Sequence, residues 1–162
     1  MEECIFCSIA AKKTPSFFIY EDNYVFACLD IQPANIGHVI VFPKRHISSI
    51  LEAKNEETSS IIGTVRKVCL AMNACGITDF SIINQIGKSA GQRSPHTIIH
   101  IIPRHENDNI QISWTGKQFD KETFQKIQSM LTNAINKKEE KSEEKEKRIE
   151  KVISEKIPDY WT

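Results

Sequence analysis

"SPHTIIHIIPRH", residues 94–105, reads as a buried strand that carries two histidines and stops at Pro103. Side chains alternate along a strand, so His96, Ile98, His100 and Ile102 share one face. Thr97, Ile99 and Ile101 share the other. Two histidines on one face mark a site. An isoleucine stands between them, where a third polar group would complete the row.

Four more strands surround this one in the sequence. "SFFIYE" (16–21) and "YVFACLD" (24–30) flank the turn pair Asp22-Asn23, which signals a hairpin. "HVIVFP" (38–43) follows Gly37 and ends at a proline, and "DFSIIN" (79–84) follows Gly76. Between these last two, Ile61, Ile62, Val65, Cys69 and Met72 recur at helical spacing. Asn55 is the expected N-cap of that helix and Gly76 its C′ residue. Strands joined by hairpin-length links, with one long helix, predict an α+β fold: a five-stranded antiparallel sheet covered by helices.

The composition narrows the function classes. Lysine plus arginine and aspartate plus glutamate number 21 each, so charge points to neither nucleic acid nor an anionic membrane. No stretch approaches the ~18 apolar residues of a membrane span. The opening "MEECIFC" has no basic segment followed by an apolar one, so no signal peptide is expected. Five cysteines, two of them three residues apart, make poor material for a disulfide framework. A reducing, intracellular (cytoplasmic) setting is expected.

Three segments are predicted: a core domain over 1–115, a helix over 116–136 packing on it, and a charged tail, helical or disordered, over 137–162. The helix has Asp120 as its cap and a stripe of Phe124, Ile127, Met130 (or Leu131) and Ile135. Glutamate and lysine alternate in the tail at spacings that suit i,i+4 pairs. Ile149, Val152, Ile153 and Ile157 add a weak apolar stripe there. The tail is either a solvated helix or one that docks on a partner through that stripe and "IPDYW".

Cys4 and Cys7 form a CxxC pair, the spacing at which two thiolates grip one tetrahedral zinc. The same spacing serves redox pairs and ordinary packing. No second CxxC follows, so further ligands would come from His38, His46, His96, His100 and His105, among which spacing does not choose. "NQIGKSAGQRSPH" (84–96) is rich in glycine and small polar residues and leads into the histidine strand. Such loops turn backbone N–H groups toward anions, or serve as plain turns.

Taken together, "CIFCSIA", "DIQPANIGHVIVFPKRHISSI" and "GQRSPHTIIHIIPRHENDNIQISW" resemble the histidine triad (HIT) family over about residues 3–135. The family motif is His-φ-His-φ-His-φ-φ, with φ an apolar residue. The resemblance implies an α+β homodimer that binds purine nucleoside monophosphates or related nucleotides and cleaves their phosphorus bonds. It also implies structural zinc on Cys4, Cys7, His46 and His96. Phe6, Ile9 and Ile31 then match the walls of a base pocket, and Asp30 the carboxylate that holds ribose. Asn84, Gln92, His38 and His100 match groups around the phosphate.

The chain departs from the motif where chemistry matters most. In active relatives the middle histidine attacks phosphorus, and here that position is Ile98, which has no lone pair. Arg93 stands after "GQ", where relatives often carry a small or hydroxyl residue, and is either a phosphate clamp or a surface arginine. Three functions follow from this pattern. One is a zinc-bearing nucleotide-binding protein with lost or strongly reduced catalysis. Another is a hydrolase of phosphoramidates or dinucleoside polyphosphates in which His100 or His38 activates water. The third is an interaction module that works through the C-terminal helix.

Overall fold

The computed structural model describes residues 4–156, with side chains in the last helix as far as Lys138 and again at Glu144 and Lys147. The tail stripe at Ile149, Val152, Ile153 and Ile157, and "IPDYW", lie outside the described residues or side chains. In the first unit, Met1–Gln111, the elements are α1 (Ile5–Ala10), β1 (Phe18–Glu21), β2 (Val25–Leu29), β3 (Val39–Pro43), α2 (Asn55–Ala74), β4 (Phe80–Asn84) and β5 (Ile99–Pro103). The five strands make one antiparallel sheet in the order β1-β2-β3-β5-β4. The α+β architecture expected from the strand and helix patterns is the one observed.

Strand alternation gives the sheet two different faces. Val25, Ala27, Val39, Val41, Ile99 and Ile101 pack against Ile61, Val65, Val68 and Met72 of α2. The opposite face carries Phe26, Cys28, Ile40 and Phe42, which pack with Phe6, Ile9 and Ala10 of α1 and with Ile98. The histidine stretch therefore sends Ile99 and Ile101 to the helix side and Ile98 to the α1 side. Asp22 makes the β1–β2 turn, its Oδ1 accepting from the Tyr24 and Val25 N–H groups at 2.8 and 2.9 Å.

Several expected boundaries move by one residue or more, and for two of them hydrogen bonds give the reason. Strand β5 starts at Ile99, because the flanking groups bond outside the ladder: Thr97 N–H donates to the Ile47 carbonyl (2.8 Å), and the Asn84 Nδ2 group donates to the Ile98 carbonyl (2.8 Å). Helix α2 is capped at Lys54 rather than Asn55, which is its first helical residue. The carboxylate of Glu57 supplies the cap, accepting the Lys54 N–H at 2.8 Å. Gly76 follows the helix with φ +84°, as a C′ glycine does.

Glu57 is buried and is gripped by Arg45, whose Nε and Nη2 donate to its two oxygens at 2.7 Å each. Those bonds hold its pKa down to about 2. The pair also anchors the chain beside His46. The folded pKa lies below the unfolded value, so this stabilisation is complete above about pH 4.5 and disappears as pH falls toward 2. Glu57→Gln is expected to cost about 1–3 kcal/mol at pH 7. Urea unfolding should show that gap closing at pH 3, and equal stability at pH 7 would show that the pair contributes nothing.

The second unit, Ile112–Thr162, contains α3, Lys121–Lys156, which continues through position 136. Asp120 caps it, Oδ1 accepting from Thr123 N–H at 2.7 Å. Phe124, Ile127, Met130, Leu131 and Ile135 are all exposed. No helix among the described residues is long and apolar enough to cross a membrane.

Candidate functional site

Four of the sequence candidates converge at the start of α1. Cys4 and Cys7 sit on its first turn, His46 follows β3, and His96 precedes β5. The Thr97–Ile47 backbone bond brings the two histidine segments side by side. Cys4 Sγ lies 3.6 Å from His96 Nδ1, and Cys7 Sγ lies 3.3 Å from His46 Nδ1 and 3.7 Å from His96 Nδ1. One ligand atom from each residue falls within a 4.8 Å cluster. Zinc bonds of about 2.3 Å to sulfur and 2.05 Å to nitrogen at a tetrahedral angle separate S and N by about 3.6 Å. His96 Nε2 meets the Pro43 carbonyl at 2.8 Å, so that nitrogen carries the proton and Nδ1 turns a bare lone pair to the sulfurs. Donor set, spacing and tautomer all fit zinc.

Asp30, His38 and His100 form a second cluster. The Ala34 N–H donates to His38 Nδ1 at 3.1 Å, so the proton of neutral His38 is on Nε2. That N–H faces His100 Nδ1 at 3.0 Å and donates to it. His100 in turn carries its proton on Nε2. Burial lowers the pKa of both imidazoles, and the Asp30 carboxylate only partly opposes this, so both stay neutral at pH 7. Asp30 Oδ2 lies 3.7 Å from His38 Nδ1, while Oδ1 accepts the Gln32 N–H at 2.8 Å. The relay thus presents a fixed donor at His100.

His100 and Asp30 open onto a cavity of about 150 Å³. Phe6, Ile9, Ile40 and Ile98 give it apolar walls, Ile31 lines its outer side, and Thr14, Pro15 and Ser16 close one end. Cys28 lies in the same lining, but burial and the nearby Asp30 push its thiol up to about 11, so it is no nucleophile at neutral pH. Ile98 faces the cavity with an alkyl group.

The remaining candidates serve the loop. Gln92 accepts the Gly87 N–H (2.7 Å) and donates to the carbonyls of Ser48 (2.7 Å) and Ser94 (2.9 Å), so its amide braces the loop. Asn84 holds the Ile98 carbonyl from across the sheet. Arg93 is exposed beside this braced segment. His105 lies in neither cluster. Sequence reasoning missed Ile40, although the alternation His38-Ile40-Phe42 sets it on the site face, opposite His100 in register. It also missed Thr14, Pro15 and Ser16, and the Ala34 N–H that sets the histidine tautomers, for which no residue pattern is a signal.

Comparison with known proteins bears on the family and the fold. The family model for the HIT domain matches residues 11–107. The adenosine 5′-monophosphoramidase of Saccharomyces cerevisiae is 30% identical over 129 residues, which cover 79% of this chain and 80% of that one. The crystal structure of a HIT family protein from Bacillus anthracis superposes with TM-score 0.77 at 35% identity, covering 82% of this chain and 97% of the other. A zinc-bound histidine triad protein from Mycobacterium smegmatis gives TM-score 0.62 at 26% identity, covering 71% and 84%. With three fifths of its length matched by the family model and its sheet shared with solved members, this chain belongs to the HIT family.

Proposed function

We propose that this protein binds a purine nucleoside monophosphate in the Phe6–His100 cavity without the covalent catalysis of its family. The observation that carries the reading is one cavity in which the polar groups survive and the nucleophile does not. Phe6, Ile9 and Ile40 offer apolar walls for a base, the Asp30 carboxylate suits ribose hydroxyls, and the His100 Nε2–H is a donor for phosphate oxygen. Ile98 supplies nothing that can bond to phosphorus. Asn84 and Gln92 act by holding the phosphate loop, and Arg93 adds a free-standing guanidinium at its edge.

The relay argues against His100 as a base that activates water. Its Nδ1 lone pair is taken by His38 and its Nε2 bears a proton, so the neutral group donates. The Cys4, Cys7, His46 and His96 set would hold a structural zinc, closed to substrate by its four protein ligands. Such thiolate ligands suit a reducing, cytoplasmic setting. We take the protein to be a homodimer, as the family resemblance implies. The exposed stripe from Phe124 to Ile135 supports a further role for α3 in docking a partner.

Calorimetry with AMP and GMP tests the binding claim. The expected result is a Kd of ~10 µM, near −7 kcal/mol, weakened at least tenfold by Asp30→Ala and by His100→Ala. Failure of both nucleotides to bind at millimolar concentration would remove the proposal.

A further inference from the structure

A second hollow, of about 330 Å³, adjoins the nucleotide cavity. The two meet at Ile9, Thr14, Pro15 and Ser16, which line both. Asp30, Ile98 and His100 line only the first. A nucleotide held by Asp30 and His100 therefore turns the far edge of its base toward the shared wall. Beyond that edge stand two aromatic residues, Phe18 and Phe26, with Lys12 and Glu21. The Phe18 and Phe26 rings stand 5.5 Å apart, and Phe18 is 54% exposed, an apolar surface left half in water. Lys12 and Glu21 complete the lining and pair with each other: Lys12 Nζ donates to Glu21 Oε1 at 2.7 Å, and Lys44 Nζ lies 3.5 Å from Oε2, a buried oxygen with no hydrogen-bond partner among the described residues. Each charge lining this hollow has an opposite charge within 3.5 Å.

From this juxtaposition we infer that the protein's preferred ligand is a purine nucleoside monophosphate whose exocyclic nitrogen bears a neutral, apolar substituent, seated between Ile9, Pro15 and Phe18. The inference rests on the nucleotide reading above and deepens it. A bare purine fills the first cavity and leaves the second to water. An alkyl or aryl group on the exocyclic nitrogen covers Phe18 and displaces that water. A charged substituent would have to compete with an ion pair already made.

Calorimetry on the full chain would compare AMP, N6-benzyl-AMP and N6-succinyl-AMP. N6-benzyl-AMP is expected to bind ~10-fold more tightly than AMP, and N6-succinyl-AMP no more tightly than AMP. Phe18→Ala should abolish the benzyl gain and leave AMP affinity unchanged, which also shows that the variant is folded. Equal or weaker binding of the benzyl compound, a preference for the succinyl compound, or a gain that survives Phe18→Ala would each overturn the inference while leaving the nucleotide site standing. If AMP itself does not bind, the nucleotide reading falls and takes this one with it.

Discussion

Ile98→His, introduced alone, is expected to accelerate hydrolysis of an adenosine phosphoramidate by at least ~10³-fold over the unaltered protein. Position 98 lies two residues before His100, just ahead of β5, and faces the same cavity, roughly 6–7 Å further back along the chain. An imidazole there would attack phosphorus as the P–N bond breaks. The leaving amine would take its proton from water, while the His100 Nε2–H, fixed by the relay through His38 and Ala34, donates a hydrogen bond to a phosphate oxygen. Water would then displace the imidazole from phosphorus, giving AMP and releasing a proton to solvent. The unaltered protein offers the cavity and the His100 donor, with no lone pair at position 98.

The rest of the cavity accommodates the exchange. Ile98 packs beside Phe26, Cys28, Ile40 and Phe42, so a ring of similar volume loses some apolar contact without opening a large void. AMP affinity measured on the same variant shows whether the site survives. Turnover by the unaltered protein that matches the variant would refute the loss of catalysis. A variant that binds AMP yet stays at background would show that the missing lone pair is not the obstacle, with Arg93 the next residue to exchange.

The sheet was legible because its faces are written as alternation. Ile99 and Ile101 against Ile98 and His100, and Val39 and Val41 against Ile40 and Phe42, fall on opposite sides as a period of two requires. Asp22 gave away its hairpin because its side chain does the turning locally. The starts of α2 and β5 share one cause of misplacement, a group that acts from far away in sequence. The cap of α2 depends on Glu57, whose carboxylate is oriented by Arg45. The start of β5 depends on Ile47 and Asn84.

The candidate site was legible in its residue types and not in its proton positions. The resemblance supplied the four metal-ligand candidates, and the folded chain gathers them. That His100 donates rather than accepts follows from the backbone N–H of Ala34, a group every non-proline residue has. The family resemblance placed Gln92 among the groups around the phosphate. Its three bonds inside the loop could only be seen once the loop was folded.

The zinc set leads to the second large effect. Chelation of the metal, or Cys4→Ser, is expected to lower the melting temperature by at least ~10 °C. Helix α1 has only six residues and none of them is fully buried, far short of the length at which a helix holds itself together. Cys4 and Cys7 tether it to His46 and His96, and between those cysteines it carries Phe6, with Ile9 one turn on. Both apolar residues line the Phe6–His100 cavity, so release of the tether should weaken AMP binding as well as stability. Cys75→Ser is the control, an exposed cysteine outside the cluster, and should change neither. Metal analysis of protein purified with its thiols reduced should find one zinc per chain. Protein that lacks zinc under those conditions, and whose melting and AMP affinity ignore a chelator, would leave α1 held by packing alone and the four-residue cluster without a metal.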